Sequence, residues 1–211
     1  MTYLKRILIA AAFFAVAYGQ DAALAQSRSA AEPKIVLVRG LMDVFSTGLD
    51  DLSSRLRQAG YNDVTVTGLS GSTAVEENVI ASRSQGDRSP VVLIGHSLGA
   101  NTVIGIARRL QGRNIPVGLL VTFDTTEPLT IPGNVASYLN IYQQNGIGRA
   151  TTPSAEFTGE LASINLSNNP NVSHTNIEKL DSLHRLVLEK IALLDRPSSI
   201  KARSRQALRI N

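Results

Sequence analysis

The run P-V-V-L-I-G-H-S-L-G-A-N, Pro90 to Asn101, constrains this chain more than any other stretch. Four apolar residues lead into Gly95-His96-Ser97-Leu98-Gly99, and a helical pattern follows at once. A serine held between two glycines at the end of a buried strand reads as a tight strand-to-helix turn. Both flanking positions must be small for the chain to pass, and the turn pushes the Ser97 hydroxyl outward. The first turn of the next helix adds free N–H groups and the positive end of its dipole. At this point, then, the chain must feed a buried strand directly into a helix.

The same alternation runs through the rest of the sequence. Lys34-Ile-Val-Leu-Val-Arg39 is a short buried strand ending at Gly40. Ser46 to Gly60 follows as a helix, with Leu49, Leu52, Leu56 and Ala59 in phase, Ser46 as its cap and Gly60 as its stop. Asp63 to Thr67 alternates like a strand, and Ser72 to Arg83 reads as a helix with Val75, Val79 and Ile80 on one side. Val91 to Ile94 is a strand, Leu98 to Leu110 a helix and Val117 to Phe123 a strand. Val135 to Tyr142 and Glu160 to Leu166 are two more strands, and Ile177 to Leu194 is one long closing helix. Gln143 to Gly159 is the longest loop. Strands alternating with helices imply parallel βαβ units. Apolar runs without polar alternation fit strands covered on both faces. The expected fold class is therefore α/β, with a mostly parallel sheet of about six strands.

The N-terminus reads as an export signal. Lys5 and Arg6 precede the apolar run Ile7 to Tyr18, and Ala23-Leu24-Ala25 offers a small-x-small cleavage site. The run is short for a membrane span. Cleavage after Ala25 gives a domain plan of 1–25 signal, 26–33 linker, 34–195 catalytic domain and 196–211 basic tail, with no stable membrane span remaining. Losing Lys5, Arg6 and Asp21 takes the net charge from +4 to +3. Much of that excess sits in the tail, at Arg196, Lys201, Arg203, Arg205 and Arg209, with no aromatic beside it. The tail reads as a solvated end, and no nucleic-acid partner is expected. Cysteine is absent, which removes disulfides, thiolate nucleophiles and thiolate metal sites. The histidines His96, His174 and His184 are too scattered for a zinc motif, so neither metal nor cofactor is expected.

The segment around Ser97 resembles the nucleophile elbow of the α/β-hydrolase family, especially its lipase and esterase branch. The likeness covers nearly all of the chain after the leader: strand with glycine loop, elbow, acid, histidine. It implies a three-layer α/β-hydrolase fold and a serine hydrolase whose triad follows the order Ser, Asp, His. Asp124, at the carboxyl end of the strand after the nucleophile helix, fills the acid position. Much of the family places the acid one strand later, but here that strand runs into Gln143-Gln144-Asn145, and no Asp or Glu occurs between Pro128 and Ala155. The F-D-T-T-E-P segment is similar to the acid segment of animal lipases, and Glu127 is the alternative acid. His174, in N-P-N-V-S-H-T-N-I, is the expected base, with His184 and His96 as competitors. The oxyanion donors implied are the backbone N–H of Leu98 and that of Leu41, or of Met42, in V-R-G-L-M-D. The family often has His-Gly in that loop, where this chain has Arg39-Gly40.

The chain is small for the family, with no insertion long enough for a large lid domain. Leu129 to Pro132 and Val44-Phe45 either line a shallow acyl site or belong to the core. The leading expectation is an exported, periplasmic or secreted, serine esterase acting on a small-molecule or lipid ester through an acyl-enzyme. A thioesterase with the same triad is the alternative, disfavoured by the export signal. A non-catalytic binding protein on the same scaffold is a third reading. Oligomeric state is left open.

Overall fold

The structure, a computed structural model, describes residues 31–41 and 46–194. The expected leader, Met42, Val44-Phe45 and the basic tail lie outside the described residues. Among the described residues there are eight strands: β1 Lys34–Val38, β2 Val64–Thr67, β3 Val91–His96, β4 Leu119–Phe123, β5 Thr130–Ile131, β6 Ser137–Tyr142, β7 Thr152–Pro153 and β8 Glu160–Asn165. Four α-helices accompany them: α1 Thr47–Gln58, α2 Ser72–Ser84, α3 Leu98–Gln111 and α4 Asp181–Ala192.

Six strands form one sheet in the order β2-β1-β3-β4-β6-β8, and every neighbouring pair is parallel. Parallel neighbours need crossovers; α1, α2 and α3 supply those up to β4, while segments without a helix, carrying β5 and β7, lead on to β6 and β8. Side chains alternate across each strand. Ile35 and Leu37 therefore join one core with Leu49, Leu52 and Leu56 of α1 and Leu183, Val187 and Ile191 of α4. Val36 and Val38 join the opposite core with Val79 of α2 and Val103, Ile104, Ile106 and Leu110 of α3. Apolar surface on both faces explains the uninterrupted hydrophobic runs of β1, β3 and β4. The result is a three-layer α/β arrangement, with helices on both faces of one parallel sheet.

Register decides where chemistry can occur. Val38 pairs with Gly95, His96 with Phe123, and Phe123 with Ile141. The carboxyl ends of β1, β3, β4 and β6 are thus nearly level. The residues that leave them, Gly40, Ser97, Asp124 and Gln143, emerge along one edge, where open parallel sheets bind their ligands.

Two expectations need correction. The closing helix is not continuous: Ile177–Lys179 is a 3-10 turn, Leu180 is extended at ψ 120°, and α4 starts at Asp181. The break lets the turn lie against α1, where the Glu178 carbonyl comes so close to Gly48 that a Cβ there would stand 2.3 Å from it. The long loop contains a short strand, β7, which pairs with β5 ahead of β6 and is too short to show a period. For Leu129 to Pro132, where both readings stood open, Ile131 takes the core one: it is fully buried with residues of α3.

Candidate active site

Ser97 stands between β3 and α3 with φ 59° and ψ −126°. An L-residue adopts that backbone only when its surroundings enforce it. Here the enforcement is visible. Ser97 N–H donates to Phe123 O at 2.9 Å, and Ser97 O accepts from Ala100 and Asn101. A Cβ on Gly95 would lie 2.3 Å from Gly99 O, and one on Gly99 would lie 2.1 Å from Val38 O. Both glycines of the motif are thus demanded by backbone contact.

Asp124 leaves β4 in a left-handed conformation as well, at φ 56°. Its N–H donates to Ile141 O, and its Oδ1 accepts the Gln143 N–H at 2.8 Å. The carboxylate is essentially buried, 1% exposed, and its Oδ2 lies 2.7 Å from His174 Nδ1. His174 Nε2 lies 2.9 Å from Ser97 Oγ. Ser97, His174 and Asp124, separated by up to 77 positions in the chain, therefore form one continuous hydrogen-bonded line. A carboxylate can only accept, so Nδ1 carries the proton facing Asp124, and the neutral ring presents Nε2 as acceptor to the Ser97 hydroxyl.

His174 is held by its loop. Ser173 N–H donates to Asn176 Oδ1 at 2.7 Å, and Asn176 Nδ2 donates to Asn171 O. Gln143 Nε2 donates to Val172 O at 2.7 Å, so the residue whose backbone steadies Asp124 also pins the segment before His174. The competitors are placed elsewhere. His184 is buried on α4 with Nε2 donating to Glu178 O, and Glu127 is exposed with no contact to an imidazole.

Leu41, the residue beyond Gly40, is 55% exposed. Among the described residues, neither the Leu41 nor the Leu98 N–H donates to a backbone carbonyl. A Cβ on Gly40 would lie 3.0 Å from Ser97 Cβ, so this loop passes directly beside Ser97. Arg39, where the resemblance often has histidine, turns away and grips Asp50 of α1 with Nε at 3.1 Å and an Nη at 2.5 Å.

Sequence reasoning missed four residues around the triad. Gln143 and Gly148 shape the acid's surroundings; a Cβ on Gly148 would fall 1.9 Å from Asp124 Oδ1. Its only signal was a second glycine in N-G-I-G. Ser46 occupies the N-cap position of α1 but makes no side-chain cap; its hydroxyl accepts the Gly40 N–H at 2.8 Å and contacts His96 Nδ1 at 2.8 Å. Glu178 is fully buried, 3.9 Å from His96 Nε2, and its carboxyl oxygens have no hydrogen-bond partner among the described residues. Burial pushes its pKa up to about 7, with Lys179 and nearby N–H groups pulling back only in part. Burial likewise pushes His96 down to about 4, against the opposing bond to the His174 carbonyl, so the ring is neutral near pH 7.

A family model described as a thioesterase domain matches residues 73–195, a span holding Ser97, Asp124 and His174. Among solved structures, the RedJ thioesterase from the prodiginine biosynthetic pathway in Streptomyces coelicolor is similar over 78% of this chain and 91% of that one, at 12% identity and a TM-score of 0.42. No curated protein matches the chain significantly.

Proposed function

Because the chain belongs to the thioesterase-domain family, we propose that this hydrolase cleaves acyl thioesters, with Ser97 as nucleophile, His174 as general base and Asp124 as its orienting acid. The observation that carries the proposal is the line Ser97 Oγ, His174 Nε2, His174 Nδ1, Asp124 Oδ2 at 2.9 and 2.7 Å. The family supports the thioesterase, the alternative in the sequence reading, better than the leading expectation of a carboxylic esterase.

In this reading Ser97 Oγ attacks the thioester carbonyl as His174 Nε2 takes its proton. Asp124 holds the imidazole in the productive tautomer and stabilises the imidazolium. The carbonyl oxygen becomes an oxyanion, met by the N–H of Leu98 and that of Leu41. Donors of this kind are worth about 10²–10³ in turnover. Collapse expels the thiolate, which leaves with the proton from His174. Water then attacks the acyl-enzyme as His174 takes its proton; His174 passes that proton to the departing Ser97 Oγ, which restores the hydroxyl and releases the carboxylic acid.

Carboxylic ester cleavage by the same residues is the second reading. The feature favouring it is the apolar leader Ile7 to Tyr18, which points to export away from intracellular carrier-bound acyl groups. We read that leader as a signal cleaved after Ala25, giving a periplasmic or secreted protein; N-terminal sequencing of protein from a fractionated host tests this. For the activity, wild type and Ser97→Ala are assayed on matched thiol and oxygen esters of increasing acyl length. The thioesterase reading requires faster hydrolysis of the thiol ester, lost in Ser97→Ala. A preference for the oxygen ester would return the reading to esterase. No reaction with either, and no Ser97 adduct with an organophosphonate, would leave a binding protein.

A further inference from the structure

Behind the triad lies a second line of hydrogen bonds that the reaction above does not use. Gly40 N–H donates to Ser46 Oγ at 2.8 Å. Ser46 Oγ lies 2.8 Å from His96 Nδ1, and His96 Nε2 lies 2.8 Å from the backbone O of His174. A carbonyl can only accept, so Nε2 carries the His96 proton. A neutral ring then offers Nδ1 as acceptor, and the Ser46 hydroxyl donates to it. Every donor and acceptor is assigned: Gly40 N–H to Ser46, Ser46 O–H to His96, His96 Nε2–H to His174 O. Ser46 and His96 are 0% and 1% exposed, so water does not compete for these bonds. The His96 and His174 rings stand 5.0 Å apart, tilted by 39°.

We propose that His96 and Ser46 are positioning residues that fasten the oxyanion loop at Gly40-Leu41 to the backbone of the catalytic base. The two loops leave different parts of the chain and have to be aligned to a fraction of an ångström for a donor to meet the oxyanion while His174 meets Ser97. No main-sheet strand connects them. The chain through Ser46 and His96 does, and it starts one residue before the donor Leu41 and ends on the base itself. His96 is therefore more than the variable position of its motif: it faces away from substrate and acts on the reaction through its neighbours. The inference rests on the serine-hydrolase reading of the site.

The test compares Ser46→Ala, His96→Phe and the double variant with wild type. Kinetics are read on the better thiol or oxygen ester, alongside affinity for an alkyl boronic acid, whose Ser97 adduct presents an oxyanion. Each single variant should lower kcat by about 10- to 10²-fold and weaken the boronic acid in parallel, while KM stays within about threefold. The double variant should be little worse than His96→Phe alone, because both cut one chain. Hydrogen exchange of the full chain should quicken in both segments, around Gly40 and around His174, in either single variant. Folded variants with unchanged kcat and exchange quickened only next to the mutated residue overturn the proposal, as do fully additive losses. If His96→Phe does not fold, Ser46→Ala, which deletes one oxygen, decides alone. If wild type proves no more active than Ser97→Ala, the hydrolase reading fails, and the exchange data still decide whether the two loops are fastened.

Discussion

Ser97 and Asp124 both occupy left-handed backbone, and conformations of that sort cost about 1–3 kcal/mol each. The close packing at the carboxyl edge sustains them, which makes the site intolerant of added atoms. Gly148→Ala is the sharpest case, because its Cβ would meet Asp124 Oδ1 at 1.9 Å. Displacing the carboxylate should lower kcat on the order of 10²-fold, with KM little changed, in a steady-state assay. His184 offers the contrast. Its ring bonds to Glu178 O and to none of Ser97, Asp124 or His174, so His184→Ala should keep most of the turnover, while the lost bond lowers stability by roughly 1–3 kcal/mol in urea unfolding. Glu178 carries a pH signature. Its folded pKa of about 7 lies above the ordinary 4.5, so between those values the folded state holds a proton the unfolded chain has released. Its contribution to stability is therefore lost as pH rises through that window. His96 works in the other direction, its contribution falling away as pH drops from 6.5 toward 4. Glu178→Gln should raise Tm relative to wild type by an amount that grows from about pH 5 to about pH 8. A constant difference across that range would show that Glu178 does not titrate there.

At the scale of elements, hydrophobic period alone located all six sheet strands and the four helices to within a few residues. Period did not reveal what breaks an element. Ile177, Leu180, Val187 and Ile191 are in phase, yet Leu180 is extended because the turn before it must sit against α1. That contact depends on Gly48, whose missing Cβ admits the Glu178 carbonyl. Gly48→Ala should separate α1 from this turn and cost about 1–3 kcal/mol in urea unfolding. Because the turn follows the base loop directly, kcat should fall with it. Ser46 shows the same limit from the other side. A serine before a helix signals a cap, and the position is right, but its hydroxyl is drawn to Gly40 and His96, which no local pattern encodes.

For the whole molecule, the two cores share one sheet, and the compact body runs from Glu32 to Leu194. A chain trimmed to Glu32–Leu194 should unfold in one cooperative transition by calorimetry and keep the kcat of the untrimmed protein. The sequence by itself determined the α/β class, the parallel sheet and the elbow at Ser97, because these follow from local properties: apolar period, strand length and the space glycines leave. It also pointed to Asp124 and His174 as the proposed acid and base, since Asp124 ends a strand, no Asp or Glu lies between Pro128 and Ala155, and only three histidines occur. Only the tertiary structure decided that these side chains meet, that Gly148 and Gln143 hold the acid, and that Ser46 and His96 join the loops behind it. Those contacts span up to 77 positions and depend on strand register, which levels the ends of β1, β3, β4 and β6. Register is settled by packing both faces of the sheet at once, and no local stretch of sequence carries that information.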